Sequence, residues 1–167
     1  MKTVDVKYKI MLHPSKETIN QPTVSKRSWN MSRILSENTT PERTVRSLIH
    51  KLGYRFRIHK KNLPGSPDIV LKKYSSVIFV HGCFWHQHPG CKFAYKPASH
   101  ISYWEPKLKR NIERDHENQI HLQELGWHVI IVWECELKEL ETLAQHLIRE
   151  LSTSRLKQKT LSYKKGD

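Results

Sequence analysis

All three cysteines of this chain sit at the end of an apolar run or in the loop just after one. Cys83 follows VIFVHG, Cys91 closes the segment HGCFWHQHPGC, and Cys135 ends WHVIIVWEC. Three thiols and one histidine make the ligand set of a closed, tetrahedral, structural zinc site with no position left for water. Cys83 and Cys91 are close in sequence. Cys135 is not, so a shared metal requires the fold to bring it to the end of a strand neighbouring Val77–His81. The metal would pin a loop that has little core of its own. The competing reading is three small buried thiols on strand edges. Three cysteines of three, with histidines crowded among them, favour the metal. Spacing leaves both His86 and His88 open as the fourth ligand. An odd cysteine count argues against a disulfide framework and fits a reducing, intracellular compartment.

The remaining segments supply a sheet and helices that can meet this requirement. TTPERTVRSLIHKLG reads as a helix, with Thr40 as cap, Pro41 first and Gly53 after its end. Val45, Leu48, Ile49 and Leu52 share one of its faces. YRFRI alternates like a half-buried strand. After the loop KKNLPGSP, DIVL and VIFVHG are short apolar runs joined by KKYSS, the pattern of a hairpin. Tyr103 to Leu125 is helical again, with Leu108, Ile112, Asp115, Leu122 and Leu125 on one stripe. WHVIIVWEC is continuously apolar, as in a strand covered on both faces. LKELETLAQHLIREL is a last amphipathic helix carrying Leu140, Leu143, Leu147, Ile148 and Leu151. The expected fold class is α/β, one mixed sheet flanked by helices. A length of 167 residues suits one such domain. Residues 1–24 read as an N-terminal arm, 25–152 as the domain and 153–167 as a basic, frayed tail.

Charge points to the partner. Lys and Arg number 29 against 16 Asp and Glu, a net charge of +13. Such an excess suits a polyanion, nucleic acid before an anionic membrane surface. SKRSWNMSRI, from Ser25 to Ile34, is suited to a phosphate backbone or to a solvated turn. No apolar run is long enough to span a bilayer, and MKTVDVKYKI has no stretch fit for a secretory signal.

Several side chains outside the cysteine set are candidates for chemistry. Asp68 starts a strand beside a second strand ending in His81, a plausible magnesium site that keeps waters for phosphate chemistry; the plainer reading is a turn aspartate after proline. Asp115 lies on an apolar stripe, so its carboxylate needs a partner. A histidine oriented for acid–base work and a buried salt bridge to Arg or Lys fit equally well. Glu42 stands in a first helical turn, where negative charge is favoured anyway. Phe84 and Trp85, with Trp104 at the start of the next helix, suit a wedge between bases or a small satellite core over the metal.

Taken together, LPGSPDIVL, VIFVHGCFWHQH with Cys91, then ERD, LQELGW and VWEC closely resemble the very short patch repair (Vsr) mismatch endonucleases of bacteria. The agreement runs in order and spacing from about Ser25 to Leu137. The resemblance implies a type II restriction-endonuclease-like, PD-(D/E)xK-like core. It implies a Mg2+-dependent enzyme that nicks double-stranded DNA 5′ to the T of a T:G mismatch left by 5-methylcytosine deamination. It further implies a functional link to a cytosine-5 DNA methyltransferase, help from mismatch-repair proteins, a monomer, and a bacterial cytoplasmic, nucleoid-associated location. By matching motif, Asp68 and the Val80 backbone carbonyl would hold magnesium, His86 would aim the attacking water with Asp115 as its orienter, and His81 would sit near the scissile phosphate. Glu42 matches a first-helix glutamate near the metals. Cys83, His88, Cys91 and Cys135 match the Zn2+ ligands, which separates the tasks of His86 and His88. Phe84, Trp85 and Trp104 match the intercalating aromatics. Two departures stand out: Val80 replaces the family's threonine, and the loop between His88 and Cys91 is one residue longer. The alternatives are a site-specific or homing-type nicking enzyme that needs no mismatch, and a catalytically inactive zinc-containing DNA-binding module.

Overall fold

The structure, a computed structural model, describes residues 37–58 and 60–163, with side chains as far as Ser154. The expected arm at 1–24, the basic segment at 25–34 and the last four residues lie outside the described residues. Helix α1 spans Thr40–Lys51. Its cap is Thr39, not the expected Thr40. The reason is the capping box: Glu42 lies three residues after Thr39, so each side chain meets the other residue's backbone N–H.

Strand β1 (Ile69–Leu71) and strand β2 (Ser76–His81) form the expected hairpin, antiparallel with Ile69 opposite Ile78. A 3-10 turn at Lys72–Tyr74 joins them, and Ser75 closes it with φ 40°. Strand β3 (His128–Trp133) runs parallel to β2 on its other side, and pairs His81 with Trp133. A long crossover is obligatory between parallel neighbours. Helix α2 (Ile101–Glu124) lies within it. YRFRI does not form a strand. It contributes one antiparallel bridge, Arg57 to Val70. With β1 only three residues long, a longer partner has nothing to pair with.

Two apolar layers enclose the sheet. On one face Ile69, Leu71, Ile78, Ile130 and Val132 pack against Val45 and Ile49 of α1 and against Leu143, Leu147 and Leu151 of the last helix. That helix, α3, spans Leu140–Tyr163. On the other face Val70, Val77 and Phe79 meet Leu122 of α2. The expected stripes are only partly buried: Ile112, Leu125, Leu140 and Ile148 are exposed. Helix α3 also continues past Ser152, where a frayed tail was expected. Ser154 is buried and donates to the Tyr74 carbonyl at 2.6 Å, while Ser76 Oγ bonds Ser154 Oγ at 3.1 Å. Among the described residues no helix is long and apolar enough to cross a membrane.

Candidate functional site

Strand alternation builds the first part of the site. Phe79 and His81 share one face of β2, and their rings lie 5.8 Å apart. The same alternation sets Asp68, one residue before β1, on the face of Val70. The Asp68 carboxylate is tied to β2, because Oδ2 accepts the Val80 N–H at 2.7 Å. The Arg57 bridge takes the N–H and C=O of Val70, so Val70 faces away from β2. In an antiparallel ladder these directions alternate, so Ile78 and then Val80 turn their backbone groups toward the β1 side. Continuing the register sets Pro67 opposite Val80, and a proline has no N–H to give the Val80 carbonyl. The Asp68 carboxylate and that carbonyl therefore face the same edge.

The loop entering this region is tightly fixed. Gly65 has φ +67°, and a Cβ there would lie 2.9 Å from Asn118 Nδ2 on α2. Gly65→Ala is therefore expected to destabilise the protein by about 1 to 2 kcal/mol, through left-handed backbone strain and displacement of Asn118. Urea denaturation checks this, and an unchanged midpoint refutes it.

Past β2 the chain enters the cysteine-rich loop. Among the described residues two groups of metal-binding side chains converge there: His81, His86 and Asp115, and Cys83, His88, Cys91 and Cys135. Within each, the ligand atoms all lie within 4.8 Å of one another. In the first, the His86 and His81 rings stack 3.9 Å apart, and His86 Nδ1 bonds Asp115 Oδ2. Arg114 Nη2 lies 3.6 Å from the other Asp115 oxygen. Both partners weighed for Asp115 are thus present, with the histidine in direct contact. Burial pushes the Asp115 carboxyl up, but the His86 hydrogen bond, the adjoining imidazoles and Arg114 outweigh it and hold the pKa below the ordinary range. An ionised Asp115 makes His86 Nδ1 the donor and leaves Nε2 as the basic nitrogen. Burial, then His86, lowers the His81 pKa to about 3, so His81 is neutral at neutral pH.

In the second group, His88 Nδ1 lies 3.3 Å from Cys135 Sγ and 3.8 Å from Cys83 Sγ. Tetrahedral zinc with ordinary Zn–S and Zn–N bonds sets such edges at about 3.5 Å. The three-thiol, one-imidazole set therefore fits zinc in chemistry and in spacing. Burial pushes the Cys83 thiol up to about 12 and raises Cys135 too. A backbone hydrogen bond at Phe93 is the main cause that lowers Cys91. A divalent cation overrides such burial, because a coordinating thiol is deprotonated outright. Trp133 stands between the two groups. It stacks on His88 at 4.2 Å and meets His81 edge-on at 5.4 Å.

The aromatics gather in one cluster, in which Phe84, Trp85 and Trp104 are half-buried and Tyr95 and Tyr103 exposed. Phe84 meets Trp85, Tyr95 and Trp104 at 5.0, 5.2 and 5.4 Å. Lys107 Nζ lies over the rings of Trp85, Tyr103 and Trp104. Glu42 is not part of either group. Its Oε1 accepts from Thr39 Oγ1 at 2.8 Å and Thr39 N–H at 3.3 Å. Its Oε2 accepts from Asn38 N–H at 2.9 Å and Arg46 Nη2 at 2.7 Å.

Residues 20–92 match the model of the DNA mismatch endonuclease Vsr family. The DNA mismatch endonuclease Vsr of Escherichia coli K12 is 44% identical over 124 residues, 74% of this chain and 79% of that protein. The chain belongs to the Vsr DNA mismatch endonuclease family. The chain is also similar to nicking enzymes. The type II nicking enzyme V.XorIIP of Xanthomonas oryzae pv. oryzae is 47% identical over 129 residues, 77% of this chain and 94% of that enzyme. V.NmeAIP of Neisseria meningitidis is 44% identical over 127 residues, 76% of this chain and 90% of that enzyme. Membership makes this protein a DNA endonuclease, a hydrolase of the mixed α/β class.

Four residues that pack against these groups escape the sequence reading. Trp133 enters only through the β2–β3 register. Tyr95, Tyr103 and Lys107 enter through the aromatic cluster. Only Tyr103 and Lys107 leave a local signal, being three and four residues apart from each other and Trp104 on one helix.

Proposed function

We propose that this protein nicks one strand of double-stranded DNA on the 5′ side of the T in a T:G mismatch and so starts short-patch repair. The observation that carries this reading is the His86–Asp115 pair, which leaves Nε2 of a fixed imidazole to take a proton from water. His86 is the general base and Asp115 its orienter. His81, neutral and stacked on His86, offers a hydrogen bond rather than a charge to the phosphate. The Asp68 carboxylate and Val80 carbonyl are hard oxygen donors, which suits magnesium. When bound there, magnesium supplies stabilisation of the charge that grows on the phosphate. Cys83, His88, Cys91 and Cys135 hold zinc as a structural staple.

Phe84, Trp85 and Trp104 form the wedge. A T:G wobble pair stacks poorly, so prising it apart costs less than for a matched pair. The charge of +13 supplies affinity that is blind to sequence and falls with salt. Glu42 acts structurally, fixing the start of α1 through its cap and Arg46. The core is of the restriction-endonuclease type and works as a monomer alongside a cytosine-5 methyltransferase. Duplexes with a central T:G or T:A pair in randomised flanks test the reading. T:G duplexes are expected to be nicked at least about a hundredfold faster, roughly the effect of 3 kcal/mol. Equal rates would favour the site-specific nicking alternative.

A further inference from the structure

Successive turns of α2 hold successive parts of the functional loop. Lys107, Asn111 and Asp115 stand at i, i+4 and i+8 on one helix face. In that order they meet the Trp85 ring, the Trp85 carbonyl and the His86 imidazole. Lys107 Nζ lies 5.3 Å from the ring centroid, and Asn111 Nδ2 donates to the carbonyl at 3.1 Å. The Trp85 carbonyl and the His86 N–H belong to one rigid peptide plane. That plane is gripped at its other edge too, because the His86 N–H donates to the Gly82 carbonyl at 3.1 Å. A movement of Trp85 therefore reaches His86 through a plate held on two sides.

We propose that Asn111 is a positioning residue that couples the seating of the Phe84–Trp85 wedge to the aim of His86. The inference rests on the function proposed above. A wedge that seats fully at a T:G pair leaves the peptide plane where Asn111 holds it, with His86 square to Asp115. A wedge blocked by a well-stacked pair pulls against Asn111 and turns His86 away from its water. Asn111 thereby makes the chemistry answer to the mismatch without touching the reacting atoms.

Single-turnover nicking of a T:G duplex tests this, with 2-aminopurine fluorescence beside the mismatch reporting wedge seating. Asn111→Ala is expected to lower the nicking rate about tenfold, the size of one lost hydrogen bond, with affinity and fluorescence within about twofold of the parent. Asn111→Leu, which keeps volume without a donor, serves if the alanine variant does not fold. In a double-mutant cycle the Asn111→Ala penalty should shrink to under about threefold when Trp85→Ala has removed the wedge ring that joins directly to the held peptide plane. An unchanged nicking rate overturns the inference. So does a fluorescence change lost together with the rate, or a penalty that persists in full in the Trp85→Ala background. A parent that shows no preference for T:G over T:A overturns the proposed function and this inference with it; a parent with that preference and an indifferent Asn111→Ala overturns the coupling alone.

Discussion

Asp68→Ala is expected to reduce nicking of a T:G duplex by about a thousandfold or more. A metal ion at the scissile phosphate stabilises several kcal/mol of developing charge, and each 1.36 kcal/mol is a factor of about ten. The same carboxylate also receives the Val80 N–H at 2.7 Å. Its removal leaves that donor without its acceptor and loosens the β2 edge. Asp68→Asn separates the two effects. The amide retains an oxygen for Val80 but binds magnesium poorly, so it should stay as stable as the parent and remain inactive. Comparison of nicking with thermal melting for the three proteins decides the point. An active Asp68→Asn would remove Asp68 from the metal site.

The second large effect concerns Cys135. Cys135→Ala should abolish zinc retention and nicking together. A structural zinc site is worth about 10 kcal/mol or more in small peptides. Here a sheet and its helices hold much of the chain without it, so a loss of about 3 to 5 kcal/mol is expected, roughly 10 °C in Tm. Leu147→Ala is the control, since it empties a fully buried position in the core between the sheet, α1 and α3 at a similar cost of about 2 to 5 kcal/mol. It should keep its zinc and nick normally at low temperature. If Cys135→Ala nicks as well as Leu147→Ala does, the staple is not needed to hold the loop.

Local signals in the sequence were enough for most of the framework. The hairpin, the apolar run of β3 and the three helices follow from apolar period and punctuation alone. The cysteines demanded that Cys135 reach the end of a strand beside β2, and the parallel pairing of His81 with Trp133 meets that demand. YRFRI misleads because alternation describes one strand, whereas a ladder also needs a partner, and β1 offers this segment only the Val70 bridge. The α2 stripe misled in a more useful way. Its centre carries Asn111, Asp115 and Asn118, which turn toward loops, so neighbouring Ile112 is left in solvent. Asp115 was visible as an anomaly on an apolar face, yet its partner lies 29 residues away and no spacing rule points there. Glu42 shows the reverse case. The described partners of its carboxylate, Asn38, Thr39 and Arg46, all lie within four residues of it.

The pairing of β2 with β3 also orders events in time. A chain emerging from the ribosome presents Cys83, His88 and Cys91 well before Cys135 is made. Until β3 docks, the first three can hold a metal only as an open, exchangeable site, since the fourth ligand is missing. On the proposed function, the nascent protein then carries its wedge and its base without the clamp that aligns them. On the same reading, cleavage competence arises only when the last strand is in place, so a truncated chain with this charge is expected to bind DNA without cutting it.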